Sequence, residues 1–468
     1  MDNRMTGIRQ KTGYIWAFLI AFLPRLFWSL QAIPLRTVSD ELSTMNGAVF
    51  FSSQNWNAVV SKAGYYGFGM SILATPLLQW IKDPVILYRT LLVCTGVLES
   101  VAAVICFYLI KRVFGITDEK KALLMTVTIS YITVVRTTVF YNEHMLMLIS
   151  WCICLVLAKL VLTEEPKKRA MWTGFFVLLM LYALTVHART TTYIFAAVLV
   201  IALYGLMYRK KMVSLSVFGI LTAGGYLLIK KGTKIYQSVV WSAAEGVRNT
   251  RVNIGQEKLS LLKTADGIKS CLFTIFGQIN IASMISGGLL ITALVMVILL
   301  IVRKGKEAFV LKTIQADNAQ ERLYFVIGSF FVLCTGMTIA AQSLTWIATA
   351  ANAIAGGYGT KEYGTKAFTY LRYMMPYLQP LLMLVFVTME KQKDVFLSCF
   401  HKSIKYIVLF QGIWLAFILP YCYGNKQAGE EFICFALADR NIATAHTYLP
   451  ATLVFVIMLL IFFQAGKK

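Results

Sequence analysis

The chain has 468 residues, of which 58% are hydrophobic and only 14% charged, and its formal net charge is +23. A soluble fold of this size has no interior for so much apolar surface: the mean hydropathy is +0.67, and runs of about 20 apolar residues, each long enough to span a bilayer, recur along the chain. The basic excess does not mark a nucleic-acid binder, because Lys and Arg stand in short clusters between the apolar runs, as topology signals and lipid-headgroup contacts do. The expected fold class is therefore an all-α polytopic membrane protein, one integral membrane domain over residues 1–468.

Apolar-run length predicts twelve spans, at 14–33, 85–110, 122–138, 143–162, 171–187, 190–208, 212–229, 284–302, 323–345, 373–389, 403–422 and 448–464. One set of connections is short and basic: Arg4, Arg9 and Lys11, then Lys111, Arg112, Lys120 and Lys121, then PKKR at 166–169, RKK at 209–211 and RKGK at 303–306, and finally Lys391, Lys393, Lys402, Lys405, Lys467 and Lys468. Basic loops stay cytoplasmic, which puts both termini inside a multi-pass protein of the cell membrane. The other connections, 34–84, 230–283, 346–372 and 423–447, then face outward. The segment YGFGMSILATPLLQWI at 66–81 is short for a span and holds two glycines and Pro76, so it reads as re-entrant or interfacial. No internal repeat is evident, which weighs against a two-half transporter.

Ionisable groups inside spans are costly and mark functional candidates. Arg25 lies in FLPRLFW of the first span and Glu99 in GVLESVAAV of the second. The first span runs outward and the second inward, so the two can meet, either as a structural pair or as part of a site. At the outer ends come SDEL at 39–42, VRTTVFYNEHMLM at 135–147, VHARTTTY at 186–193 and YLRYMMPYLQP at 370–380. Each alone reads as an interfacial anchor or a helix cap. Together they bring acids, histidines and arginines to one face, which suits chemistry on an anionic, lipid-borne substrate. Residues 41–53 read as a helix, so Glu41 has two readings: an acid in a first turn, favoured by the helix dipole, or a catalytic group.

The ordered set of Arg25, then Asp40-Glu41 fifteen residues on, NW at 55–56, YYGFGMSILATPLL at 65–78, YNEHMLM at 141–147 and LRYMMPYLQPLLML at 371–384 resembles the GT-C glycosyltransferases. These include the protein O-mannosyltransferases and the lipid A aminoarabinose transferases. The resemblance covers the first 200 residues and 370–385; residues 212–360 have no matching segment. It implies a GT-C-like bundle with interfacial helices in a catalytic first outer loop. It further implies a polyprenyl-phosphate sugar as donor and a hydroxyl acceptor on a glycan, lipid or protein. Asp40, at the family's catalytic position, is then the general base, and a single displacement at the anomeric carbon inverts it. Glu41 and Glu143 are the other catalytic candidates, Glu143 orienting the acceptor or a metal.

The substrate-binding candidates are Arg25, Arg136, Tyr141, His144, His187, Arg189, Arg372 and Tyr373. Arg372 is favoured for the leaving phosphate because a guanidinium grips its oxygens as a fork. No organic cofactor is implied. A divalent cation needs Asp40 or His187 to join Glu143 and His144, which as helix neighbours point about 100° apart. The basic stretch 230–269 fits either capture of a lipid phosphate or anionic acceptor, or contact with anionic headgroups. Two other functions share the outline: a transporter or flippase of a lipid-linked or anionic substrate, and a polymerase of lipid-linked glycans.

Overall fold

A computed structural model describes residues 2–32, 38–53, 67–132, 139–240, 255–311 and 318–422, with positions 457 and 460 beyond them. Among the described residues there is no strand. In chain order the longer helices are α1 (Asp2–Gln31), α2 (Val38–Phe51), α3 (Ser71–Trp80), α4 (Pro84–Tyr108), α5 (Glu119–Ile132), α6 (Asn142–Leu162), α7 (Pro166–Val186), α8 (Thr191–Tyr208) and α9 (Leu215–Val240). They continue with α10 (Gln256–Leu261), α11 (Ala265–Ile285), α12 (Leu289–Lys306), α13 (Ala319–Thr345), α14 (Ile347–Ala355), α15 (Lys366–Thr369), α16 (Met375–Lys391), α17 (Lys393–Ile413) and α18 (Leu419–Cys422).

Eight stretches among the described residues are long and apolar enough to cross a membrane: Thr12–Gln31, Pro84–Val113, Asn142–Leu162, Pro166–Val186, Ala188–Tyr208, Ala265–Ile285, Ala319–Thr345 and Lys393–Cys422. Their outward faces carry large apolar side chains, such as Leu23 and Phe27 on α1 and Phe195 and Leu199 on α8. Water disfavours such faces and lipid accepts them. The chain is thus all-α, with the helices of a multi-pass membrane protein.

All but one of the eight coincide with apolar runs read from the sequence. The exception is Ala265–Ile285, which lies where an outer loop, 230–283, is expected. The described part of that stretch is the last part of α9, the short α10 and all but the end of α11. Its hydropathy is broken by Ser270, Thr274, Gln278, Asn280 and Ser283, and all five are buried. The expected loop 346–372 is likewise largely folded, with α14, a turn at Tyr363–Thr365 and α15. Of the other predicted spans, 212–229 lies in the longer α9, 284–302 largely in α12 and 373–389 largely in α16. Helix α5 ends at Ile132, and the rest of span 122–138 lies outside the described residues, as does nearly all of 448–464.

The chain divides into two compact units. The first comprises Met1–Ser130, Val135–Asn249 and Ile301–Phe331. In it α1 and α4 pack antiparallel: Tyr14 meets Phe107 edge-on at 5.2 Å, and farther along α1 Arg25 meets Glu99. Helix α4 starts sharply because the Asp83 carboxylate accepts from Val85 N at 2.9 Å and Ile86 N at 2.8 Å, with Pro84 in the first helical position. Helix α6 packs on α4 and α7, and α9 on α7.

Helices α2 and α3 pack on each other, with Ser71 Oγ donating to Thr44 O at 3.0 Å. Ten residues of α3 rise about 15 Å, half a bilayer core, so α3 by itself is too short to span. The loop before it is stitched to the end of α7: Phe68 N and Gly69 N both donate to Thr185 O at 2.9 Å. Gly67, at φ +125, sits so near that a Cβ there would lie 2.2 Å from Thr185 O. Only glycine meets both demands.

The second unit comprises Tyr131–Val134, Thr250–Leu300 and Val332–Lys468. Helix α11 is its centre and packs on α14, α15 and α17. Its Gln278 Nε2 donates to Gln342 Oε1 at 2.6 Å and to Ala367 O at 2.9 Å. Gly277 lets α15 approach, since a Cβ there would stand 2.3 Å from Phe368 O. Gly277→Ala should therefore lower stability by about 1–3 kcal/mol through overpacking, read as a lower thermal midpoint in detergent. Gly336→Ala is the control: an added Cβ meets nothing within 4 Å, and helix propensity predicts an unchanged or higher midpoint.

Candidate functional site

The polar residues of the first unit gather where the starts of α2, α4 and α6 meet, near the junction of α7 and α8. Glu41, in the first turn of α2, is fully buried. Its Oε1 accepts a short hydrogen bond from Tyr88 OH and a 3.0 Å bond from Phe140 N. One carboxylate thus joins α2 to the first turns of α4 and to the segment leading into α6. Glu41 sits in a first turn, as one of its two readings expects, and points inward as a connector. Asp40 precedes it in the same turn and is half-buried, and its backbone carbonyl accepts from Thr44 Oγ1 at 2.9 Å.

Deeper along α4 lies a buried ionic group. Arg25 Nε donates to Glu99 Oε2, and His144 Nδ1 lies 2.6 Å from Glu99 Oε1. Arg25 also donates to Ala21 O at 2.6 Å and Ser130 O at 3.2 Å. The three side chains are at most 3% exposed. His144 Nε2 lies 3.0 Å from Val139 O. A carbonyl only accepts, so Nε2 is placed to donate to it. Arg25 and His144, expected to bind substrate, lie buried beside Glu99.

A second ion pair lies beside the first. Arg189 Nη2 donates to Glu143 Oε1 at 2.7 Å, with side chains 10% and 3% exposed. Arg189 is in the tight turn Ala188–Thr190 between α7 and α8. His187 caps that turn, its Nδ1 accepting from Arg189 N at 3.1 Å. The imidazole proton of His187 therefore sits on Nε2. Glu143 and His144, neighbours in sequence, serve different partners, as their angular separation requires. Among the described residues no three His, Cys, Asp or Glu side chains come together as a cation site.

Tyr141 is buried immediately before α6. Arg136, together with NW at 55–56 and the first two residues of YYGFGMSILATPLL, lies outside the described residues. Arg372 and Tyr373 belong to the second unit. There the Arg372 guanidinium lies 5.5 Å from the Tyr370 ring centre and 5.3 Å from that of Tyr373, an arrangement that stacking favours. Sequence reasoning missed Tyr88 and the backbone N–H of Phe140. A lone tyrosine at a span end reads as an interfacial anchor, and a backbone donor carries no sequence signal.

Glu99→Gln should lower stability by ~3–5 kcal/mol, the cost of leaving a buried partner charge uncompensated. Glu99→Gln combined with Arg25→Met should recover part of that loss. Thermal unfolding in detergent measures both. No family model matches the chain, and no curated protein matches it.

Proposed function

We propose that the protein is an integral-membrane glycosyltransferase that moves a sugar from a polyprenyl-phosphate donor to a hydroxyl acceptor at the outer face of the cell membrane. The observation that carries this reading is the separation of two adjacent acids: Glu41 is sequestered by Tyr88 and Phe140, while Asp40 in the same turn is half-buried. In the proposed reaction Asp40 takes the acceptor's proton as the acceptor oxygen bonds to the anomeric carbon. The bond from that carbon to the phosphate oxygen breaks, and the configuration inverts. The leaving phosphate needs a fixed cation. Arg189 fills this role, its guanidinium held by Glu143, so that Glu143 orients an arginine and is not a second base. Both termini inside, a bundle of about twelve spans and an outer-face site complete the proposal, with the basic connections as the topology signal.

A second reading rests on a different observation. Arg25, Glu99 and His144 form an ionic group buried among span-length helices, and such groups mark proton and ion pathways in transporters. That reading expects substrate movement only across a sealed bilayer.

The two readings separate with purified protein, a mixed pool of polyprenyl-phosphate sugars and candidate acceptors in detergent. A transferase releases free polyprenyl phosphate there and a transporter does not. Asp40→Asn should lower that release by about 10²–10⁴-fold, the usual worth of a general base, with the thermal midpoint kept. Glu41→Gln should lower the midpoint first. Equal release by wild type and a folded Asp40→Asn variant would remove Asp40 as the base.

A further inference from the structure

At the other end of α1 and α4 the first unit holds a cavity of about 300 Å³ that the proposed transfer does not use. Tyr14, Phe107, Lys111, Arg112, Thr117 and Glu119 line it. Lys111 follows Tyr88 by 23 residues, about 35 Å of helix, slightly more than a bilayer's hydrocarbon core. The cavity and the Glu41 cluster thus lie at opposite ends of helices long enough to cross a membrane. In a bilayer that level is where lipid headgroups would stand, with acyl chains against the helix flanks.

The lining is built by local backbone features. Helix α4 widens into a π-helical turn at Leu109–Val113, which carries Lys111 and Arg112. The chain then folds back, with Ile116 N donating to Ile110 O at 3.1 Å. Lys111 Nζ donates to Thr117 O at 2.7 Å, which takes one of the ammonium's three N–H groups. Glu119 enters from the first turn of α5. It fits because Gly13 of α1 has no side chain: a Cβ there would lie 2.4 Å from Glu119 Oε1.

Among the described residues the cavity therefore presents two cations from the end of α4 and one carboxylate from the start of α5. The Lys111 ammonium is bound to a carbonyl, and Glu119 takes part in no ion pair among the described residues. A lone phosphate would meet the repulsion of Glu119, and a lone amine that of Lys111 and Arg112. A group with a phosphate and an ammonium a few bonds apart gives each charge its opposite, and its N–H donors suit a carboxylate acceptor. We infer that this cavity binds the phosphoethanolamine headgroup of a membrane phospholipid, with phosphate on Lys111 and Arg112 and ammonium on Glu119.

The test is native mass spectrometry of the full-length protein in detergent with phosphatidylethanolamine, phosphatidylglycerol and phosphatidylcholine of matched acyl chains. Phosphatidylethanolamine should bind about tenfold more tightly than either, the worth of one charge-assisted hydrogen bond. Glu119→Gln should bring it down to the level of phosphatidylcholine, whose quaternary ammonium has no N–H. Lys111→Gln with Arg112→Gln should weaken all three. Should that pair fail to fold, judged by a monodisperse elution profile, Glu119→Gln alone decides. Equal binding of the three lipids by wild type, or unchanged preference in Glu119→Gln, overturns the inference. Soluble O-phosphoethanolamine that competes as well as the lipid would overturn the membrane source.

Discussion

The carboxylate of Glu99 is the constraint on which the first unit turns. A charge buried in a helix long and apolar enough to cross a membrane is stable only if compensated, and Glu99 obtains both compensations from other helices. Arg25 brings α1 and, through its bond to Ser130 O, the end of α5. His144 brings the first turn of α6. One acid therefore sets the depth at which α6 begins. That depth places Phe140 against Glu41 and Glu143 against Arg189. The catalytic proposal depends on a group that takes no part in the chemistry.

The second unit meets the same constraint with neutral groups. Gln278 on α11 has no charge to compensate, but its amide still demands partners inside an apolar bundle. It takes Gln342 from α13 and the Ala367 carbonyl from α15. Ser270 on the same helix donates to the Ile347 carbonyl at 3.3 Å. Hydrogen bonds to carbonyls of short helices explain why the stretch around 346–372 is folded onto α11 and not a free loop: those carbonyls are where the helix places its polar side chains. Gly277 and Gly364 permit the approach, since a Cβ on either would enter a neighbouring backbone carbonyl, Phe368 O or Thr349 O.

What was legible in the sequence follows from this. Uninterrupted apolar runs announced most of the long helices, and two ionisable residues in antiparallel neighbours announced the Arg25–Glu99 contact. Helix α11 was hidden because its buried polar side chains lower the hydropathy of a window that counts residues and not their partners. Within the candidate site, the convergence of Glu41, Glu143, His144, His187 and Arg189 on one region was legible from span parity. The pairing was not: Glu143 lies next to His144 in sequence, and only helix geometry assigns one to Arg189 and the other to Glu99. Tyr88 was hidden because a single tyrosine near a span end has a commoner explanation.

Asp40 and Glu41 show how adjacency in sequence becomes difference in role. Two carboxylates side by side on a helix point about 100° apart, so an interior that takes one cannot take the other. Glu41 turns inward because a phenol and a backbone N–H await it. Anchoring Glu41 fixes the rotation of α2 about its axis, and with it the direction in which Asp40 leaves the helix. A general base has to be held in place as well as ionised. On this reading the pair needs both acids: a helix start with Asp40 alone would carry the base without the bond that aims it.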